Sequence, residues 1–298
     1  MHAVQRWLTG LLLVSFLGCG NDDSTVTKKA EPPRETKPST EVSQTDSPNP
    51  ETSPEATDVK KTESDSAPPE GAISGRIVLK GGVPPKEIAI KKGAAIKDAE
   101  VCAAIDLYKE DLIVNPDNNG IANVFIFMKT KPEGVKFDPP AQEKLLVDQK
   151  NCRFIPHAMI VQTDQVVEVI SSDNCAHNLH TNPIRGAAMN VLMAANTPEG
   201  KGVVVAFNGP EIVPIKINCD IHTWMAARWL IVDHPYAGMT NEKGEFTIDT
   251  AGLPDGEYEF RINHERSGWL EKSLMVNVKD GAADLGTMEY ELSKFAEE

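Results

Sequence analysis

The residues with the clearest potential for chemistry lie in one short segment, Cys219-Asp220-Ile221-His222-Thr223-Trp224-Met225. The spacing C-x2-H-x2-M directly follows a predicted strand, so these side chains can converge on one point. Thiolate, imidazole and thioether groups are ligands that copper prefers, and two histidines, a cysteine and a distant methionine form the blue-copper set. His177, at the end of another predicted strand, supplies the second histidine if both loops lie at the same end of a sandwich.

Two other histidines compete with His177 for a place at this site. His180 is three residues further along the chain, and an odd separation reverses the face of an extended segment. We therefore expect His177 and His180 to point apart. We expect His157 to lie in solvent, with a position at the rim of the site as the alternative.

The segment that leads to His177 resembles the cupredoxin family. The resemblance rests on Phe154-Ile155-Pro156, Ile160, Val161, Val166, Val169, Asp173 and the dipeptide His177-Asn178. The C-x2-H-x2-M loop is similar to the short ligand loop of amicyanin-type cupredoxins. This resemblance implies one type 1 copper ion bound by His177, Cys219, His222 and Met225.

The ligand loop differs from the amicyanin type at two positions. Ile221 and Thr223 stand where that loop has prolines, so each restores a backbone N–H that could reach the thiolate sulfur and tune its potential. The resemblance also implies that His222 presents an exposed ring edge to redox partners. Trp224 and Trp229 are expected either to form an apolar docking patch there or to belong to the core.

The chain has five cysteines, too few for a disulfide-built scaffold of this length. A disulfide between Cys102 and Cys152 is our prediction for an oxidising compartment, which leaves Cys175 unpaired near the ligand His177. Pairing of Cys152 with Cys175 is the competing arrangement. The ligand loop contains one cysteine, whereas a binuclear purple-copper site would need two.

The N-terminal residues predict secretion and lipid anchoring. Residues 1–18 contain Arg6, an apolar run at 11–17 and a small residue before Cys19, which resembles the cleavage box of bacterial lipoproteins. An ordinary signal cleaved nearby is the alternative. Residues 19–71 are rich in Ser, Thr, Pro and Glu and are expected to be a disordered linker. The lipid-bearing Cys19 would anchor the protein in the cell envelope, on the outer membrane or facing the periplasm.

The chain after residue 71 predicts an all-β fold, a Greek-key cupredoxin β-sandwich with a second, smaller β-sandwich. Runs rich in Val, Ile and Phe alternate with turns such as Pro254-Asp255-Gly256. One short helix is predicted over 99–109, with Asp98 as its cap. The predicted strands are 73–79, 121–128, 158–161, 166–170, 203–207, 212–217, 229–232, 245–249, 257–262, 273–278 and 287–292.

Two separated segments resemble the halves of a carboxypeptidase regulatory-like domain, a small prealbumin-like β-sandwich. The second half comprises 240–248 and 253–260, and the first half is 73–84. We predict a cupredoxin-like domain at 96–235 inserted into a sandwich made from 72–95 and 236–292. The alternative is one cupredoxin with extra N-terminal strands and a C-terminal appendage.

Composition and motifs argue against nucleic-acid binding and against several classes of enzyme. A net charge of −14 argues against nucleic acid as a partner, because phosphate binding needs a concentrated positive surface. We find no nucleophile elbow and no phosphate loop, and a four-ligand copper has no open position for a substrate. A nitrite reductase would need a second, all-histidine copper site, and the remaining histidines are scattered, at His157, His180, His234 and His264.

We therefore predict a membrane-anchored electron carrier, not an enzyme, that moves single electrons between partner proteins such as a cytochrome or a dehydrogenase. Such carriers use small, weak interfaces. The alternative is a non-redox lipoprotein that stores copper or binds a glycan or cell-wall component through the regulatory-like domain. Carbohydrate binding is a fold-level analogy only. Trp269 could stack on a sugar, although a core role is expected, and His264-Glu265-Arg266 is expected to be a solvated strand end.

Overall fold

Strands dominate the structure, a computed structural model that describes residues 71–296. Among these residues the helical elements are α1 (Ala99–Cys102) and one 3-10 turn at Leu292–Phe295. The strands are β1 (Ala72–Lys80), β2 (Ile88–Ile90), β3 (Leu107–Tyr108), β4 (Phe125–Met128), β5 (Lys144–Gln149), β6 (Phe154–Ile155), β7 (Ala158–Gln162), β8 (Val166–Ser171), β9 (His177–Asn182), β10 (Met189–Met193), β11 (Val203–Ala206), β12 (Ile215–Asn218), β13 (Ala226–Val232), β14 (Ala237–Met239), β15 (Glu245–Asp249), β16 (Gly256–His264), β17 (Gly268–Val278) and β18 (Ala283–Glu291).

Two sheets from the middle of the chain enclose the first core. One has the strand order β10-β9-β12-β13-β7 and the other β11-β8-β5-β6. Alternate side chains of β8 and β12 point inward, as the period of two in a strand requires. Cys219, Met225 and Trp229 belong to this core, so the predicted ligand loop is packed against it.

Strands from both ends of the described chain enclose a second core. One sheet has the order β15-β1-β18, in which β1 pairs antiparallel with β15 and parallel with β18. The other has the order β14-β4-β16-β17. Ile73 and Ile77 of β1 pack in one cluster with Phe260 and Val276. Strand β4, within the predicted 96–235 segment, hydrogen-bonds to β14 and β16, and the division into domains stays a prediction.

A third apolar cluster joins the two pairs of sheets. Phe125 and Phe127 of β4 contact Leu230 and Val232 of β13 in this cluster. Because Trp229 and Ile231 face the first core, β13 is buried on both faces. Trp269 packs against this third cluster, 6.2 Å from Phe127 between ring centroids, which agrees with the core role expected for it.

The all-β prediction is confirmed, and each predicted run coincides wholly or in part with a strand; the strand within 212–217 begins at Ile215. The predicted helix is wrong beyond Cys102, since Leu107 and Tyr108 are already in β3. Asp98 does not cap it: its side chain makes no capping hydrogen bond and its φ is 52°. No helix among residues 71–296 is long and apolar enough to cross a bilayer. The predicted signal, Cys19 and most of the linker lie outside the described residues.

Candidate metal centre

The loop between β12 and β13 brings three of the predicted ligands into the interior. The Met225 N–H donates to the His222 carbonyl at 2.9 Å, and the Cys219 N–H donates to the Met225 carbonyl at 3.2 Å. These two bonds fold the C-x2-H-x2-M segment into a closed turn. Cys219, His222 and Met225 are each at most 1% exposed.

The neighbouring strand β9 supplies the fourth predicted residue. His177, the first residue of β9, is fully buried, and its Nδ1 lies 2.9 Å from Nδ1 of His222. The Cys219 Sγ lies 3.8 Å from the same His222 nitrogen, and all three ligand atoms lie within 4.8 Å of one another. His180 points away, toward Asp220 at 3.0 Å. The structure therefore brings His177, and not His180, to the cysteine.

Each imidazole is hydrogen-bonded through its Nε2 to a carboxylate. The Nε2 of His177 lies 2.9 Å from Oδ2 of Asp173, and the Nε2 of His222 lies 2.9 Å from Oδ2 of Asp98. An ionised carboxylate only accepts hydrogen bonds, so both Nε2 atoms carry the proton. Carboxylates in this position fix the tautomer and orientation of metal-binding histidines and raise their basicity.

This arrangement fits a metal ion. With both protons on Nε2, the two Nδ1 atoms direct lone pairs at each other, which is repulsive unless a proton or a metal ion lies between them. Metal–nitrogen bonds of about 2.0 Å and metal–sulfur bonds of about 2.3 Å, as zinc makes, separate two nitrogens by about 3.3 Å and a nitrogen from a sulfur by about 3.6 Å. The observed 2.9 Å and 3.8 Å are close to these values.

The sulfur of Cys219 lies in surroundings that favour the thiolate. Burial acts to raise its pKa, but a hydrogen bond from His177 and backbone N–H groups of Asn178, His222 and Ile221 outweigh burial and lower the pKa. The Asn178 N–H donates at 3.4 Å. Of the two positions where prolines are replaced, Ile221 thus supplies an N–H to the sulfur.

Burial and charge act differently on the two imidazoles. Burial acts to lower the pKa of His177, but Asp173 and Cys219 raise it above its usual range. The pKa of His222 is lowered, because burial and the neighbouring His177 outweigh Asp98. Without a metal ion, the contact between Cys219 and His177 thus lowers the pKa of the thiol and raises the pKa of the imidazole.

The expectation that His222 exposes a ring edge is wrong, since this residue is fully buried. Residues 96–102, here called the cap, lie over it: Asp98 bonds its ring and Ile96 packs against the first core. On another side the half-buried Trp224 lies 5.3 Å from the His222 ring, between centroids. Trp229 belongs to the core and is fully buried, so these two tryptophans do not form a common exposed patch.

A disulfide holds the cap in place. Cys102, the last residue of α1, is bonded to Cys152, with 5.1 Å between their Cα atoms. Cys175 is a free, buried thiol. Asp173 accepts hydrogen bonds from the Cys152 N–H at 2.7 Å and from His177, so it ties the turn that carries the disulfide to the candidate ligand. The sequence offered a weak sign of this contact, because Asp173 precedes His177 by four residues.

The remaining histidines lie elsewhere. His157 and His264 were expected in solvent, and both expectations are wrong. The His157 side chain is 9% exposed and lies 2.5 Å from the Glu265 carboxylate. His264 is 2% exposed. The His/Cys/Asp/Glu groups among residues 71–296 that could hold a metal do not include His157, His180, His234 or His264.

Comparisons with known proteins return structural likenesses only. No family model and no curated protein matches the sequence. A copper nitrite reductase from Thermus scotoductus SA-01 is 15% identical with a TM-score of 0.27, over 35% of this chain and 25% of the reductase. The chain thus spans about a quarter of that enzyme's length.

Two smaller copper proteins are similar to about a third of the chain. A single-residue variant of amicyanin in its oxidised form is 18% identical with a TM-score of 0.25, over 30% of this chain and 84% of amicyanin. A purple cupredoxin from Nitrosopumilus maritimus is 12% identical with a TM-score of 0.24, over 29% of this chain and 98% of its own. Likenesses this low carry no argument for function, which must rest on the geometry of the site.

Proposed function

We propose that this protein is an extracytoplasmic cupredoxin-type copper protein that carries single electrons between redox partners. The observation that carries the proposal is the convergence of one ligand atom each from His177, His222 and Cys219 within 4.8 Å in a buried site. A copper ion bound there supplies one-electron exchange. Met225, buried in the same loop, would be the fourth ligand of the proposed set.

The chain contributes ligands of the right chemistry in a rigid frame. Cys219 offers a thiolate supported by backbone N–H groups, and Asp173 and Asp98 orient the two imidazoles. The ligands come from β9 and from the β12–β13 loop, and β9 and β12 are hydrogen-bonded neighbours in one sheet. The buried site excludes solvent, which suits electron transfer rather than chemistry on a bound substrate.

Trp224 marks the side from which a partner protein would approach. Its ring contacts His222 and lines a surface cavity of about 340 Å³ together with Tyr108 and Arg153. The cap, residues 96–102, covers the ring edge of His222 that the family resemblance implied to be exposed. We propose that a redox partner docks beside Trp224.

Redox titration of the copper-loaded protein tests this function. We expect one reversible one-electron couple per chain, lost in His177→Ala because one of the two imidazole ligands is removed. His180→Ala is the matched control, since that residue bonds Asp220 at the surface, and it should keep the couple. The same redox couple in both variants would show that His177 is not a copper ligand.

Lipid attachment at Cys19 and residence in the cell envelope complete the proposal. The evidence is the apolar segment that ends at Gly18-Cys19. Protein produced in bacteria should partition into detergent, and Cys19→Ala should move it to the aqueous phase. Equal partitioning of the two proteins would contradict lipidation.

A further inference from the structure

A second group of sulfurs lies on the other side of the candidate ligand imidazoles. Cys175 Sγ is 3.6 Å from Nε2 of His177, on the ring edge opposite to Nδ1. Cys102 Sγ, Cys175 Sγ and a nitrogen of His222 lie within 4.8 Å of one another. Cys152 Sγ also lies within 4.8 Å of Cys175 Sγ. The disulfide and the free thiol therefore form one compact group of three sulfurs.

All three sulfurs are inside the protein. Cys102 and Cys152 are fully buried and Cys175 is 7% exposed. The backbone of the turn at Cys152 is fixed by the Asp173 carboxylate, which bonds the N–H groups of Asn151 and Cys152. Residues from three separate parts of the chain are thus held together, although the proposed copper site uses none of these cysteines.

The spacing suits a soft metal ion bound by three thiolates. Thiolate ligands select Cu(I) among the common ions. With metal–sulfur bonds of about 2.3 Å, a trigonal site places its sulfurs about 4 Å apart. Cys175 already lies within 4.8 Å of both disulfide sulfurs. Once the disulfide is reduced, Cys102 and Cys152 Sγ need to move apart from bonding distance to about 4 Å to act as ligands together with Cys175.

We propose that reduction of the Cys102–Cys152 disulfide creates a second metal site, in which Cys102, Cys152 and Cys175 bind one Cu(I) ion. A dithiol reductant supplies two electrons and two protons to the disulfide and itself becomes a disulfide. The two cysteines become thiols. Each thiol that binds the ion then releases its proton to solvent. The oxidation state of the disulfide thus decides whether the chain can hold an extra copper ion.

Copper retention by the full chain tests this site. One sample keeps its disulfide, and the other is reduced anaerobically with a phosphine and desalted. Both are loaded with excess Cu(I), passed over a column with a Cu(I) chelator as competitor, and analysed for copper per chain. We expect reduction to add one ion per chain. Equal copper in the two samples would overturn the proposal.

Single substitutions separate this site from the proposed electron-transfer site. Cys175→Ser should abolish the ion gained on reduction and keep the visible copper band that depends on Cys219, which also shows that the variant is folded. Cys219→Ser should lose the band and still gain one ion on reduction. If the gain survives Cys175→Ser, the three-sulfur site is wrong. A protein that gains the ion on reduction but shows no visible copper band would contradict only the proposed electron-transfer site.

A second measurement tests the three-sulfur site even if the Cys175→Ser variant does not fold. X-ray absorption at the copper edge of reduced, Cu(I)-loaded Cys219→Ser should show about three sulfur neighbours around the ion. A copper environment made mainly of nitrogen or oxygen would contradict the assignment.

Discussion

The carboxylates behind the two imidazoles, Asp98 and Asp173, determine which nitrogen of each histidine is free to bind a metal. Asp173 accepts from His177 Nε2 and from two backbone N–H groups, so its position is fixed by three bonds. Asp98 reaches His222 from a segment 124 residues away. Both histidines therefore present Nδ1 toward Cys219.

Removing the charge of Asp173 should weaken copper binding. In Asp173→Asn the amide accepts less strongly from His177, so the imidazole is less basic and less well oriented. We expect copper affinity to fall about 10-fold to 100-fold, measured by competition with a chelator. Asp148→Asn is the control, because Asp148 bonds Ser172 nearby but no candidate ligand. Similar losses in both variants would argue against this role for Asp173.

A second residue-scale prediction concerns acid stability. His264 is buried, accepts the Arg266 N–H at 3.3 Å, and packs 5.2 Å from the Phe295 ring. Burial, aided by the charges of His157, Arg266 and Arg228 and opposed by Glu265, lowers its pKa to about 4. The unfolded chain therefore binds this proton first as pH falls.

The stability due to neutral His264 is complete above about pH 6.5 and is lost as pH falls toward 4. We expect this effect to reach about 3 kcal/mol. Urea unfolding between pH 7 and pH 4 should give a smaller decline for His264→Gln than for the parent protein. Parallel pH profiles would show that His264 is not the acid-sensitive group.

The types and spacing of the ligand residues could be predicted from the sequence, but their outer contacts could not. Cys219, His222 and Met225 lie within one loop, and two-residue periodicity alone separates His177 from His180. Asp98 precedes Ala-Glu-Val-Cys, a local pattern typical of a helix cap. Its actual partner is distant in sequence, so only the tertiary fold reveals that contact.

At the scale of elements, the cap and the disulfide decide how closed the metal centre is. Helix α1 ends after one turn at Cys102, which is bonded to Cys152, and the chain continues into β3. Strand β9 was missed in the sequence because its residues, His-Asn-Leu-His-Thr-Asn, have little β preference. It is a strand because β10 and β12 bond both of its edges.

Loss of the disulfide should loosen the cap. The bond spans 50 residues, and a loop of that size stabilises the folded chain by about 4 kcal/mol in the chain-entropy model. We expect the Cys102→Ser, Cys152→Ser double variant to lose most of this free energy of unfolding, measured with urea. Cys175→Ser, which breaks no covalent bond, should lose much less. An unchanged double variant would mean that packing alone fixes the cap.

At the scale of the whole molecule, the first and last strands of the described chain are partners. Strand β1 lies between β15 and β18, and β4 lies between β14 and β16. The strands from β5 to β13 build the other two large sheets and the candidate metal centre. We propose that this central part is inserted into a sandwich formed by the two ends. The two sheet pairs share the cluster around Phe125 and Leu230.

Limited proteolysis tests this arrangement. Lys136 is exposed between β4 and β5 and is followed by Phe137, so mild trypsin treatment should cut there. The N-terminal piece with β1 and β4 should remain bound to the C-terminal strands on a sizing column and separate only in denaturant. Release of a stable fragment beginning near Ala237 without residues 73–84 would contradict the insertion.

The visible absorption spectrum of the purified protein with added Cu(II), recorded beside Cys219→Ser and Cys175→Ser, tests the central claim most directly. A bond between copper and the Cys219 thiolate predicts a strong absorption band in the visible range. We expect this band in the parent protein and in Cys175→Ser, and its absence in Cys219→Ser. A colourless parent protein, or a band that persists without Cys219, would contradict the type 1 copper site.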